Sequence, residues 1–443
     1  MDEDTPLSRR SMLGTGAVAL ATLSGCLGGG DESTPTPIVE RPAGQEIGGT
    51  TDETCERPET RDSDDRLVVE FDSREALRCQ GRLLDGFEEL SQWKTYEGSV
   101  GGDLSTVASG TQSARLTSKD GSRAWMYRRF EDGIDLSDRD VSLAVHPGQG
   151  DTRVAQFRLQ LLAPDRENRV EMWHGVDGVA GWVRLDSGPT EFVGDPDLGD
   201  VREVRIQSLA GEADAVSCNV DGLRTTPKLS DPGVVVTFDG VHTTQYQHAF
   251  PIMRKYGFSG AVGVTPRLLG TFKHLDESRL REMQDEGWDV VSNPRREKPL
   301  PNYSPEKQEE ALRNVKRWLL DNGFEEGARF VHWPGGRADA ATLDLGAKYH
   351  YMGFLDGQSP TGRVTGPMTV GRVNGDDVER TLQALERAER SGQVVVVEYH
   401  TVGATNDNRA TVEEFSRTMR RIDELGLRVL TPSELWEMQS TGM

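Results

Sequence analysis

The run Val234-Val235-Val236-Thr237-Phe238 ends on Asp239 and is followed by Gly240, Val241 and His242. Four β-branched residues and a phenylalanine suit a fully buried parallel strand, and α/β folds carry their chemistry at the C-terminal tips of such strands. Asp239 stands at that tip. Other titratable groups follow or flank strand-like runs: His332 after Phe330-Val331, His400 after Val394 to Tyr399, and Glu297 in Ser292-Asn293-Pro294-Arg295-Arg296-Glu297. Imidazole and carboxylate together are competent ligands for a divalent ion, so Asp239, His242, Glu297, His332 and His400 form such a set if they share one barrel mouth. Each also has a plainer reading. His400 can be a strand-end histidine with a satisfied hydrogen bond, and Arg295, Arg296 and Glu297 a solvated loop. His248, His274 and His350 read as surface or helix residues without a functional role.

These tips need a scaffold, and beyond Pro232 strand and helix patterns alternate. Gly260 to Val264, Trp288 to Ser292, Arg329 to Trp333 and Val394 to Tyr399 read as strands. Asp276–Glu286, Ser304–Asn322, Asp376–Ser391 and Thr411–Leu425 read as helices, Ser304-Pro305 being a good helix start. Repeated βα units predict a parallel sheet closed into a barrel over residues 229–443. Residues 67–228 instead show period-two runs with Gly and Asp turns, as in Val141 to Val145 and Phe157 to Leu162, which predict an antiparallel β-sandwich. Asp221-Gly222 supplies a hairpin turn in that reading. The architecture expected is multidomain, a jelly-roll-like β-sandwich followed by an irregular β/α barrel.

Acidic residues outnumber basic ones by 73 to 51, for a net charge of -22, and only nine of the 51 basic residues are lysine. Such a surface suits high salt, where screening tolerates self-repulsion, and argues against a nucleic-acid partner. An ordinary acidic exported protein is the alternative. Residues 1–26 carry a twin-arginine pattern, Ser8-Arg9-Arg10, a short apolar run to Leu23, and Leu23-Ser24-Gly25-Cys26. That order resembles a lipoprotein signal with Cys26 as the lipidated residue, placing the protein on the outer face of the cytoplasmic membrane. Residues 27–66, rich in Gly, Ser, Thr, Pro and acids, read as a disordered tether. Cys55 and Cys79 are the natural disulfide pair, leaving Cys218 as a buried free thiol.

Residues 233 to about 438 resemble the polysaccharide deacetylase family, carbohydrate esterase family 4. The resemblance rests on Thr237-Phe238-Asp239, Tyr256-Gly257-Phe258-Ser259-Gly260, Met283 to Val290, Trp333-Pro334-Gly335-Gly336 and Thr431 to Trp436. It implies an irregular β/α barrel, a polysaccharide partner and metal-assisted hydrolysis of an acetyl group, with a base at Asp239 and an acid at His400. The family's metal ligands, one Asp and two His, fall on Gly240, Asn293 and Glu297. Neither glycine nor an amide replaces them, so no cofactor is expected, with zinc only if the site is rebuilt. His332 and Trp333 fall in the family's third motif and, with His242, are expected to bind ligand. The opening Asp85 to Trp93 and closing Val220 to Leu223 of the preceding unit look like those of sugar-binding sandwiches, whose exposed aromatics would be Trp93, Trp125, Trp173 or Trp182; core packing is the alternative for each. The expected function is a cell-surface lipoprotein that engages glycans with a degenerate metal site. The alternatives are an active N- or O-deacetylase using Asp239 and His400, and a purely structural barrel.

Overall fold

The computed structural model describes residues 59–119, 121–150, 153–176, 178–211, 215–357, 360–403 and 409–440. Its first half holds twelve strands: β1 (Arg82–Asp85), β2 (Trp93–Glu97), β3 (Ser99–Asp103), β4 (Ser113–Ser118), β5 (Arg123–Ile134), β6 (Arg139–His146), β7 (Gln156–Leu162), β8 (Arg169–Gly175), β9 (Val183–Ser187), β10 (Glu191–Val193), β11 (Val201–Leu209) and β12 (Val216–Pro227). They form two antiparallel sheets, β3-β4-β12-β6-β9 with β1 beside β12, and β10-β8-β7-β11-β5-β2. Alternation decides the facing. Val204 and Ile206 of β11, Phe157, Leu159 and Leu161 of β7, and Leu143 and Val145 of β6 meet in one core, while Arg205 and Gln207 point the other way.

Two details of this half differ from expectation. Asp221-Gly222 makes no hairpin turn: it lies inside β12 at a register shift, where Gly222 takes φ +49° and Asp221 accepts from the Ala108 and Ser109 amides. A Gly with positive φ can absorb the extra residue of a bulge as readily as it can turn a hairpin. Trp93 is no sugar platform, being 4% exposed, with Nε1 donating to Asp85 Oδ2 at 2.8 Å. Trp125 and Trp173 lie half-buried on the outer face of the second sheet, the first stacked on Tyr96 and the second under the Arg158 guanidinium. Trp182 packs edge-on against His146.

The second half is a closed barrel of seven parallel strands: β13 (Gly233–Asp239), β14 (Ala261–Val264), β15 (Asp289–Ser292), β16 (Phe330–His332), β17 (Met352–Asp356), β18 (Val370–Asn374) and β19 (Val394–Tyr399). The seam is at β13. Its first three residues pair with the short β20 (Arg428–Leu430), and its last three, Thr237 to Asp239, pair with β14 on that same edge. Four outer helices fall on the expected spans, Glu277–Asp285, Pro305–Asp321, Val378–Ser391 and Val412–Leu425, and Asp276, Asp377 and Thr411 cap theirs through side-chain oxygens.

Period two also operates inside the barrel. Val234, Val236 and Phe238 face the helices, whereas Val235 and, with it, Ala261, Val291, Phe330, Met352, Val370, Val394 and Val396 fill the lumen. Continuing each strand by two-residue steps toward its C-terminal end brings Asp239, Gly263, Asn293, His332, Asp356, Arg372, Glu398 and His400 to the rim. The lumen is therefore apolar below and polar above.

Sandwich and barrel share a seam. Barrel-side Leu312, Trp333, Leu343 and Met368 join the sandwich core, and Asp186 accepts from Thr365 and Gly366. Gln393 Nε2 donates to Asp140 Oδ1 at 2.9 Å. Before β1 the chain runs as a strap under the barrel: Arg61 binds Asp72 and the Ala347 carbonyl, Val69 donates to the Lys348 carbonyl, and the Phe71 ring packs tilted against Tyr351 beside Trp436. Cys79 is disulfide-bonded and Cys218 is a buried free thiol. Cys26, Cys55, the signal and residues 27–58 of the expected tether lie outside the described residues. No helix among the described residues is long and apolar enough to cross a membrane.

Candidate functional site

Asp239 is held from both sides of its strand. Outside the barrel, Phe238 stacks against Trp288 and Tyr399 at centroid distances of 5.4 and 5.7 Å, pairs worth about 0.5–1.5 kcal/mol each beyond burial. Inside, Asp239 is 6% exposed, and its two oxygens are both engaged. His332 Nδ1 donates to Oδ1 at 2.6 Å, and Arg372 Nη2 donates to Oδ2 at 3.2 Å. The same Arg372 Nη2 lies 2.9 Å from Glu398 Oε1 and 3.4 Å from Asp356 Oδ1, so one buried guanidinium nitrogen faces three carboxyl groups. His400 Nε2 lies 3.9 Å from Glu398 Oε1. Beneath, Gln245 Nε2 donates to the carbonyls of both Asp239 and His400, tying the two strand ends together.

Glycine shapes the rim at two places. A Cβ on Gly263 would lie 2.8 Å from both Asp239 Oδ1 and His332 Nδ1, so the carboxylate–imidazole pair exists because that position has no side chain. A Cβ on Gly240, which takes φ +85°, would meet the His242 ring at 2.9 Å. His242 thus covers the spot where the expected family aspartate would project, and its ring stacks on His274 at 5.3 Å. Val241 between them takes φ +48°, a strained value for a β-branched residue and one found at sites whose geometry is held by their surroundings.

Charge separates the carboxyl groups. Burial resists ionisation of Asp239, but Arg372, His332 and His400 outweigh it and hold its carboxyl well below the usual carboxylate range. Burial pushes Glu398 well above that range; Arg372 opposes the rise and Asp239 adds to it. Opposite shifts on Glu398 and Asp239 are the pattern of two carboxyl groups whose surroundings push their titrations apart. His400 is lowered by burial, against the pull of Asp239, so its imidazole is neutral near pH 7. His242 is lowered to about 4, first by burial and then by its neighbours His274, His400, Arg409 and Arg295.

Asp239, Gly240, His242, Asn293, Glu297 and His400 line one cavity of about 760 Å³ at the rim, together with His274, which the sequence reading set aside. Two expected ligand-binding residues do not reach it. His332 and Trp333 are both 0% exposed: His332 braces Asp239 from behind, and Trp333 donates to the Met368 carbonyl within the core. Nor do the five expected ligand groups converge on one point. Those that do are Asp239, Glu398 and His400, whose ligand atoms lie within 4.8 Å of one another. Glu398, Arg372 and Asp356 went unnoticed in the sequence, although Glu398 stands two residues before His400 and so shares its face.

That triad has the donor types of a divalent site. The surroundings do not fit an ion. Arg372 already sits between the oxygens of Asp239 and Glu398, and a divalent cation there would meet a fixed positive charge at contact distance.

Residues 226–354 match the family model of polysaccharide deacetylases, a stretch that ends before Arg372, Glu398 and His400. Over 147 residues the chain is 29% identical to the Bacillus subtilis (strain 168) protein named "Putative polysaccharide deacetylase YxkH", covering 33% of this chain and 52% of that one. The match thus spans about half the length of that relative. Among solved structures, a Streptococcus pyogenes deacetylase in complex with acetate aligns at 18% identity, covering 42% of this chain and 69% of its own, with a TM-score of 0.30. A family 4 carbohydrate esterase from Streptomyces lividans, also with acetate, aligns at 15%, covering 45% and 91%, with a TM-score of 0.33. At those scores neither structure bears on the residues of the site. The family match over residues 226–354, together with the closed parallel barrel that contains them, supports a polysaccharide deacetylase-like domain in the C-terminal region.

Proposed function

We propose that this domain engages glycans at the rim cavity and that its metal centre is replaced by an internal cation. The observation that carries the reading is Arg372, whose guanidinium lies among Asp239, Asp356 and Glu398 where a bound ion would have to sit. Arginine cannot lose its charge in a protein, so the buried carboxylate of Asp239 has a permanent cation beside it without a metal. The cavity gives room for a sugar unit, and Asp239, His242 and His400 offer it a carboxylate and two imidazoles. Calorimetric titration with zinc or cobalt tests the first half: no saturable binding is expected. A micromolar isotherm that disappears in Asp239→Ala would overturn it.

One observation favours a second reading, an active hydrolase. Asp239, held toward its ionised form, opens on the cavity, which suits a base, and the neighbouring Glu398 is pushed the opposite way by burial. His400, neutral near pH 7, is poorly suited to the acid role that the family resemblance gives it. Acetate release from an acetylated glycan, lost in both Asp239→Ala and His400→Ala, would establish this reading in place of the first.

The proposed setting is the outer face of the membrane, with export through the twin-arginine signal and anchoring at Cys26. Its test is fractionation after expression in a host that exports by this route. Cys26→Ser is expected to move the protein from the membrane fraction to the soluble one.

A further inference from the structure

The rim cavity inverts the charge of the molecule that carries it. The chain has a net charge of -22. Around this one cavity, however, stand Arg267, Arg295, Arg296, Lys298 and Arg409, against the two acids Asp239 and Glu297. Arg296 and Arg409 have partners, Glu310 and Asp376. Arg267, Arg295 and Lys298 are exposed and make no ion pair among the described residues. Among the described residues no Trp, Tyr or Phe lines the cavity, so what they offer a ligand is charge and hydrogen bonding and not ring stacking. Across the 294–298 loop a second cavity, of about 650 Å³, shares Arg267, Arg295 and Arg296, and adds Tyr303 and Trp318. The arginine-bearing loop is therefore a ridge with a polar pocket on one side and an aromatic one on the other.

We infer that the rim binds an anionic glycan, one whose carboxylate or sulfate groups are held by Arg267, Arg295 and Lys298 while a neighbouring sugar rests against Tyr303 and Trp318. Arginine forks match the planar oxygen pair of a carboxylate or two oxygens of a sulfate, and unpaired arginines have no internal partner to release first. The inference rests on the reading that the cavity holds a glycan, and it adds the chemical class.

The experiment is a binding titration of the full chain, at a salt concentration where circular dichroism shows it folded. Polygalacturonate is compared with its methyl ester, and dextran sulfate with dextran. At least tenfold tighter binding of the charged member is expected in one pair, and which pair responds separates carboxylate from sulfate. The triple variant Arg267→Gln, Arg295→Gln, Lys298→Gln is expected to lose the preference, and Arg420→Gln, on an outer helix, to keep it. All three substituted side chains are exposed, and the single Arg295→Gln gives a partial loss even if the triple variant misfolds. Equal binding of charged and neutral polymers, or a preference that survives the triple variant, overturns the anionic class and leaves the glycan reading standing. Failure of all four polymers to bind overturns both.

Discussion

At the scale of single residues the site turns on Arg372. A buried ion pair loses far more when one partner is removed than its net contribution to stability, because the remaining charges stay buried. Arg372→Met keeps the apolar stem and removes the charge, leaving the buried carboxylate of Asp239 without its cation and Glu398 without a donor, while the largely exposed Asp356 loses little. Stability at pH 7 is expected to fall by about 3–5 kcal/mol in denaturant titrations. The same variant is expected to gain zinc or cobalt binding through Asp239, Glu398 and His400, and the metal to restore part of the stability. A folded variant that ignores both metals would show that something other than the guanidinium excludes the ion. Asp239 and His400 were legible in the sequence because each ends an apolar run. Arg372 was not, because Val370-Gly371-Arg372 is too short to announce a strand and an arginine is ordinarily read as solvated.

At the scale of elements, the strands deliver their last inward residue to one rim, and the glycines decide what fits there. Gly263→Ala would drive a methyl group to within 2.8 Å of the Asp239 and His332 atoms that pair. Overpacking of this kind costs about 1–3 kcal/mol. The variant is expected to melt earlier and to lose ligand binding at the rim. Unchanged affinity in that variant would mean that the Asp239–His332 pair is not what shapes the cavity. Strand and helix spans of the barrel were readable from period, although the one cap read in sequence, Ser304, makes no side-chain cap bond, while Asp276, Asp377 and Thr411 do. The bulge at Asp221-Gly222 was not, because the choice between bulge and hairpin is made by which sheet the next strand joins, and β11 and β12 lie in opposite sheets.

At the scale of the whole molecule, the sandwich–barrel seam contains a proton. Asp140 is buried there, its Oδ2 meets no hydrogen-bond partner, and burial pushes its carboxyl up to about 7. The folded protein therefore binds this proton more tightly than the unfolded chain does. Stability from this group is fully present below pH 4 and declines as pH rises to 7, by on the order of 4 kcal/mol for the displacement from 3.8 to about 7. Asp140→Asn keeps the oxygen that accepts from Gln393 and cannot ionise. It is expected to be more stable than the parent at pH 8, with the gap closing toward pH 4, in chemical denaturation across that range. Equal pH dependence in the two proteins would place the titrating group elsewhere. The two-part architecture could be read from the change of period near residue 230. The continuity of the core across the seam could not, since Trp333 and Met368 look the same in sequence whether they face a helix or a sandwich.

The strap formed by residues 61–77 has a mechanical consequence. It is fastened at the ends where the barrel strands begin, to Ala347, Lys348, Tyr351 and Trp436. The cavity is at the ends where they finish. Any load applied to the strap would be borne as shear across its hydrogen bonds and ring contacts, at the floor of the barrel. The rim lies at the other end of the strands, so a change in the strap's contacts reaches the geometry around Asp239 only through the length of the barrel.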